Sequence, residues 1–160
     1  NGHAFVSKSP QTFGVGEAKA HGSFGTEMKR AGYDAIIFKG KAEKLVYVWI
    51  DDDSVQLLDA ASLAGKSPGE TEDKIRDELG DYYIRVAAIG PSGEKLVRIA
   101  CIINDKTRAA GRTGLGAVMG SKNLKAIAIR GTRDIVVAKP AEFMEFVKEF
   151  HERMKGPATL

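Results

Sequence analysis

The sequence predicts an α+β domain of mostly antiparallel strands. Three observations carry that reading: strand-like segments outnumber helical ones, they do not alternate with helices in the rhythm of a parallel sheet, and an acidic break at Asp51, Asp52, Asp53 and Ser54 joins two strand-like runs as a hairpin. At 160 residues, 43% hydrophobic and 28% charged, the chain is long enough to bury a core and short enough to be built around one domain.

The elements follow in order. Residues 3–7 read as a strand with no lead-in, so the expectation is a piece of something longer. Glycine-rich residues 13–25 predict a loop that feeds a short helix over 26–31, stopped by Gly32. The apolar run 33–38 predicts a buried strand, and 45–50, rich in Val, Tyr, Trp and Ile, a second one with 55–58 as its return arm. The clearest helix starts at Ser67, which has capping-box spacing to Glu70 and Pro68 at the first helical position; Ile75 and Leu79 share a face and Gly80 ends it. Strands at 84–89 and 96–103 flank a turn at 90–93. A glycine-rich basic stretch, a strand at 124–129 and an amphipathic helix from Pro140 complete the chain, the last with Phe143, Phe146, Val147, Phe150 and Met154 on one stripe. The domain therefore spans 1–134, with 135–139 as a linker and 140–160 as the start of a following helical domain. The stripe, uncovered, favours association into a homo-oligomer.

Composition excludes several classes. No apolar run approaches the roughly 20 residues of a membrane-spanning helix, so no membrane partner is expected. The one cysteine, Cys101, excludes an internal disulfide framework and any cluster built from several cysteines of this chain, which fits a cytoplasmic setting; its apolar strand marks it as core. The histidines have no metal-ligand spacing, the serines no nucleophile context, and the three aspartates no closing Glu of a calcium loop. No metal ligand and no catalytic residue is assigned.

Charge is more telling. Residues 106–133 hold seven of the 24 basic residues and none of the 21 acidic ones, so that stretch is expected to meet anions or water. Within it Arg108 and Arg112 flank Ala109, Ala110 and Gly111 and precede Gly114, Gly116 and Gly120. Guanidinium forks and exposed amides beside glycines suit phosphate oxygens. The glycine spacing also invites a dinucleotide reading, without the strand–turn–helix unit and distant acid that would support it. A phosphate- or nucleotide-binding module stays open as an alternative, as does a plain tight loop with its arginines in solvent. Nucleic acid is not expected, because no aromatics interleave the basic residues.

Several runs carry a resemblance. Phe5 through Pro10, Gly22 through Gly25 leading into 29–37, 40–44, 89–94, and above all 104–127 with its Arg108-Ala-Ala-Gly-Arg112 core resemble, in order and spacing, the N-terminal domain of the tungsten-containing aldehyde:ferredoxin oxidoreductases. The resemblance covers about residues 4–132. It implies a two-sheet base that cradles a tungsten bis-pyranopterin cofactor, in an enzyme that oxidises aldehydes to carboxylic acids with ferredoxin as electron acceptor. Four cysteines in later domains would hold a [4Fe–4S] cluster. Carried over by position, Arg108, Ala109, Gly111 and Arg112 match the cofactor-binding stretch.

The departures are equally specific. Family members have Asn and Gly where this chain has Lys19 and His21, and Arg where it has Gly2. The Asn position and the backbone carbonyl at the position of Ala109 are implied to hold a divalent ion, Mg2+, between the two pterin phosphates. Lysine has donors and no acceptor, so it cannot ligate a cation. The expectation is that the Lys19 ammonium replaces the ion's charge, with His21 adding a donor.

Overall fold

In the computed structural model, which describes residues 2–156, eight strands form two sheets. β1 (Gly2–Lys8) and β2 (Val15–His21) make an antiparallel hairpin. β3 (Val46–Asp51), β4 (Ser54–Asp59), β5 (Arg85–Ala88), β6 (Ile102–Asn104), β7 (Arg108–Ala110) and β8 (Leu124–Arg130) form the second sheet in the order β4-β3-β8-β5-β6-β7. Every neighbouring pair is antiparallel except β3 and β8. The helices are short: α1 (Phe24–Arg30), α2 (Pro68–Leu79), α3 (Pro91–Glu94), α4 (Leu115–Ser121) and α5 (Pro140–Met154). The expected α+β class with two mostly antiparallel sheets holds.

β8 lies at the centre, buried on both faces, with Lys125 as its one buried charge. Ile127 and Ile129 join Val48, Ile50, Phe24 and Leu115 in one cluster, beneath α1, α4 and the hairpin. Ala126 and Ala128 join Tyr47, Ile75 and Leu63 in the other, beneath α2. Each buried Ile contributes about 2 kcal/mol in this way. The alanines face α2 because a small side chain admits the helix closely. Ser67 and Glu70 complete both halves of the capping box on α2, Pro68 opens it, and Gly80 closes it in the left-handed conformation, as the sequence predicts.

Four expectations need correction. Residues 33–38 form no strand: Ile37 is exposed, while Tyr33, Ile36 and Phe38 pack only partly against the first cluster. They run as a strap with no neighbouring strand to pair with, so apolar content alone misled. The glycine-rich loop contains β2, whose period-two alternation of Gly16, Ala18 and Ala20 with Glu17, Lys19 and His21 was masked by its small residues. The strand at 96–103 shrinks to β6, and the turn at 90–93 is α3. The basic stretch, left without an assigned element before 124, contains β7 and α4.

On α5 none of the residues is buried, so its apolar stripe has no cover among the described residues. Residues 157–160 of the expected following domain lie outside them.

Candidate functional site

Sequence distant by about ninety positions meets where β2 packs on β7. Glu17, Ala18 and Lys19 of β2 and Ala109, Gly111 and Arg112 around β7 line a shallow depression of about 560 Å³. Its floor is made of small residues, and its charged groups stand at the margins. Four of the six sequence-derived residues, Lys19, Ala109, Gly111 and Arg112, are thus brought together. Arg108 lies beside them on β7, paired in register with Asn104 and exposed. His21 ends β2 on the same face as Lys19, two residues on, without lining the depression.

The electrostatics are one-sided. Among the described residues neither Arg108 nor Arg112 forms an ion pair, whereas Lys106 pairs with Asp73 at 2.5 Å and Arg130 with Glu27 at 2.9 Å. Lys19 meets Glu17 at 3.2 Å, and both side chains are largely exposed. A pair in that setting holds at most about 1 kcal/mol and yields readily to an incoming anion. The depression therefore offers the Arg112 fork, an ammonium and small-residue backbone, with Arg108 exposed beside it, to a ligand bearing phosphate-like charge.

Glu17 is the lining residue that sequence reasoning did not single out. The alternation that places it on the Lys19 face was the available signal. Among the described residues no group of three or more His, Cys, Asp or Glu side chains converges to hold a metal.

The glycines behave differently from expectation. A Cβ on Gly114 would stand 2.0 Å from the Arg98 carbonyl oxygen, one on Gly116 2.5 Å from that of Cys101, and one on Gly120 2.0 Å from that of Gly93. These three let α4 press against α3 and residues 97–101. Close backbone packing accounts for these three glycines without a ligand. Gly111 alone lines the depression.

A larger cavity of about 910 Å³ opens between β1, α1, the 33–38 strap and α4. Its walls are mostly apolar, among them Phe5, Phe24, Ile36, Phe38, Met119 and Ile127. Its two lysines are engaged elsewhere, Lys29 with Asp34 and Lys122 with the Gly40 carbonyl oxygen at 2.9 Å. At its edge, burial holds His3 below the ordinary imidazole value and nearby His21 lowers it further, against the opposing charge of Asp105.

Comparison with known proteins gives this geometry its context. The family described as aldehyde ferredoxin oxidoreductase, N-terminal domain, matches residues 1–131. The tungsten-containing aldehyde ferredoxin oxidoreductase of Pyrococcus furiosus is 51% identical over 151 residues, covering 94% of this chain and 25% of that protein; the Thermococcus kodakarensis protein of the same name is likewise 51% identical. The aliphatic sulfonate oxidoreductase WOR-like subunit of P. furiosus is 35% identical over 98% of the chain. Among solved structures, the active-site complex BamBC of benzoyl coenzyme A reductase, with 1,5-dienoyl-CoA, superimposes with a TM-score of 0.91 at 40% identity, over 99% of this chain and 25% of that one. The chain spans about a quarter of the length of these relatives.

Proposed function

The chain belongs to the aldehyde ferredoxin oxidoreductase family, through that family's N-terminal domain, and on that premise we propose that it cradles the phosphate end of a tungsten bis-pyranopterin cofactor in a larger oxidoreductase. The supporting observation is the convergence of Lys19, Ala109, Gly111 and Arg112 on one depression, with Arg108 and Arg112 free of carboxylate partners among the described residues. The cofactor, when bound, supplies two-electron chemistry, and the protein supplies position and electrostatics. Arg112 and Arg108 grip phosphate oxygens with guanidinium N–H donors. Ala109, Gly111 and Ala18 keep the floor open for close approach. No residue of this chain is assigned to bond making.

Lys19 carries the feature particular to this chain. The phosphates of such a cofactor would repel one another, and positive charge from this chain's own residues would offset that repulsion. The Lys19 ammonium takes over charge that a divalent ion such as Mg2+ would provide, releasing Glu17 as it does so, and His21 adds a donor from the same face. Bound metal analysis of the full-length protein reads this directly: wild type should carry tungsten with less than one Mg2+ per cofactor, and Lys19→Asn should gain the ion. A full complement of Mg2+ in wild type would refute the replacement.

In the whole protein the reading extends to oxidation of an aldehyde to a carboxylic acid, with ferredoxin as acceptor and a [4Fe–4S] cluster held outside this segment. The aldehyde assignment follows the more similar relatives. The same domain also occurs in proteins named for an aliphatic sulfonate and for benzoyl coenzyme A, so selection among substrates belongs to other parts of the enzyme. The test is Arg108→Ala with Arg112→Ala in the full-length protein, purified without oxygen. Pterin and tungsten per chain should fall; unchanged occupancy would overturn the assignment.

A further inference from the structure

The two walls of the depression come from segments far apart in sequence, and two side-chain ties sew them together, one on each side of it. At one end Asn104, the last residue of β6 and 1% exposed, donates through Nδ2 to the backbone oxygen of His21 at 3.0 Å. Asp105 follows and accepts from the Ser23 backbone N–H at 2.6 Å. At the other end Ser9, fully buried in the turn after β1, donates through Oγ to the Thr113 backbone oxygen at 2.9 Å. The first tie lies just past Lys19 on one wall and just before Arg108 on the other. The second lies at the opposite end of the hairpin and immediately after Arg112.

Both ties are built at a cost, which separates them from incidental contacts. Asn104 Nδ2 also donates to Asp105 Oδ2 at 3.2 Å, so both its bonds leave through one atom, and Oδ1 stays buried without a donor. Asp105 Oδ1 is likewise buried without a donor. Buried acceptors left unmet are destabilising, so stability alone would not favour this pair. Space is surrendered as well. Gly22 has φ +105°, and a Cβ there would stand 2.1 Å from Asp105 Oδ2; a Cβ on Gly16 would stand 2.9 Å from Thr113. At both ends a glycine lets the hairpin come close enough for the tie to close.

We infer that Asn104 and Ser9 are positioning residues that set the spacing between Lys19 and the Arg108–Arg112 segment, and hence the fit of the anion site. Neither touches the ligand. Each acts through backbone: Asn104 through the carbonyl of His21, Ser9 through that of Thr113. This inference rests on the reading of the depression as the cofactor's phosphate site.

The experiment uses the full-length enzyme, purified without oxygen, carrying Asn104→Leu, Ser9→Ala or the control Ile75→Val. The control lies in the cluster beneath α2, on the face of the sheet away from the hairpin. Pterin and tungsten per chain are plotted against the thermal midpoint. Each tie variant should lower occupancy about fivefold, the fold-change of one lost hydrogen bond, while Ile75→Val keeps occupancy at a comparably lowered midpoint. If occupancy follows the midpoint along one line for all three, the ties are only structural and the inference fails. Should Asn104→Leu fail to fold, Ser9→Ala decides by the same criterion. Arg112→Ala separates the two levels: its loss of pterin beside full occupancy in both tie variants defeats the positioning role alone, and its full occupancy defeats the reading of the site itself.

Discussion

Lys125 and Arg112 belong to the same acid-free stretch of sequence and end in opposite circumstances. Lys125 points inward from β8 with no exposure, meets the Glu94 carboxylate and donates to the Lys66 carbonyl at 2.8 Å. Arg130 holds Asp81 and Glu27, Arg133 pairs with Asp53, and Lys106 with Asp73. All those acids come from elements distant in sequence. Arg108 and Arg112 find none among the described residues. A run without acids therefore does not make its cations unpaired; among the described residues the fold supplies carboxylates to four of the seven, gives Lys122 the Gly40 carbonyl oxygen at 2.9 Å, and leaves Arg108 and Arg112, at the depression, with neither. That selective withholding is what points to an external anion.

The comparison can be broken at its buried end first. Glu94→Gln leaves the Lys125 ammonium buried beside a neutral side chain, and should cost about 3–5 kcal/mol in denaturant unfolding; adding Lys125→Met to it should restore much of the loss, since a paired apolar replacement removes the stranded charge. A stability near wild type in the single variant would mean that Lys125 is not held by Glu94. Gly120→Ala tests the packing account of the glycines. With the Gly93 oxygen 2.0 Å from the new methyl, α3 and α4 must separate, and a loss of about 2–4 kcal/mol is expected. A neutral result would return Gly120 to a ligand-facing role.

A smaller effect is expected at Asp52, whose carboxyl is held below its usual value by the Thr132 hydroxyl and backbone amide. A depressed acid contributes stability that is present above its unfolded value, about 3.9, and is lost as pH falls through the folded one. Asp52→Asn should therefore flatten the acid limb of thermal stability, changing the midpoint near neutrality by no more than about 2 °C because the group is exposed. An unaltered acid limb would sever that link. The smallest stability change belongs to Arg108→Ala with Arg112→Ala, within about 0.5 kcal/mol of wild type in the same double variant that should lose pterin. A large loss would show that these arginines are structural and would erase the contrast with Lys125.

Much of the fold was legible from local signals. The capping box, Pro68 and Gly80 delimit α2 through contacts within a few residues, and the acidic break turns β3 into β4 through the chain's own geometry. The Arg108–Arg112 segment stood out by its residue types, and the fold brings Ala109, Gly111 and Arg112 to one depression with Lys19. The strap at 33–38 was not, because an apolar run becomes a strand only when a neighbour offers its backbone, and none does here. β2 was hidden by Gly16, Ala18 and Ala20, whose small size weakens hydrophobic alternation but is needed where the hairpin packs on β7.

The sequence by itself determined the caps, the hairpin turn, the apolar strand at the centre of the sheet and the basic segment, since each depends on near neighbours and intrinsic conformational preference. Only the tertiary structure decided which of the seven cations would find carboxylates, that Lys19 and Glu17 would face Arg112, and that Asn104 and Ser9 would sew the two walls together. Those outcomes depend on hydrogen bonds and Coulomb interactions that act over a few ångströms between residues up to 104 positions apart, a proximity that no local pattern encodes.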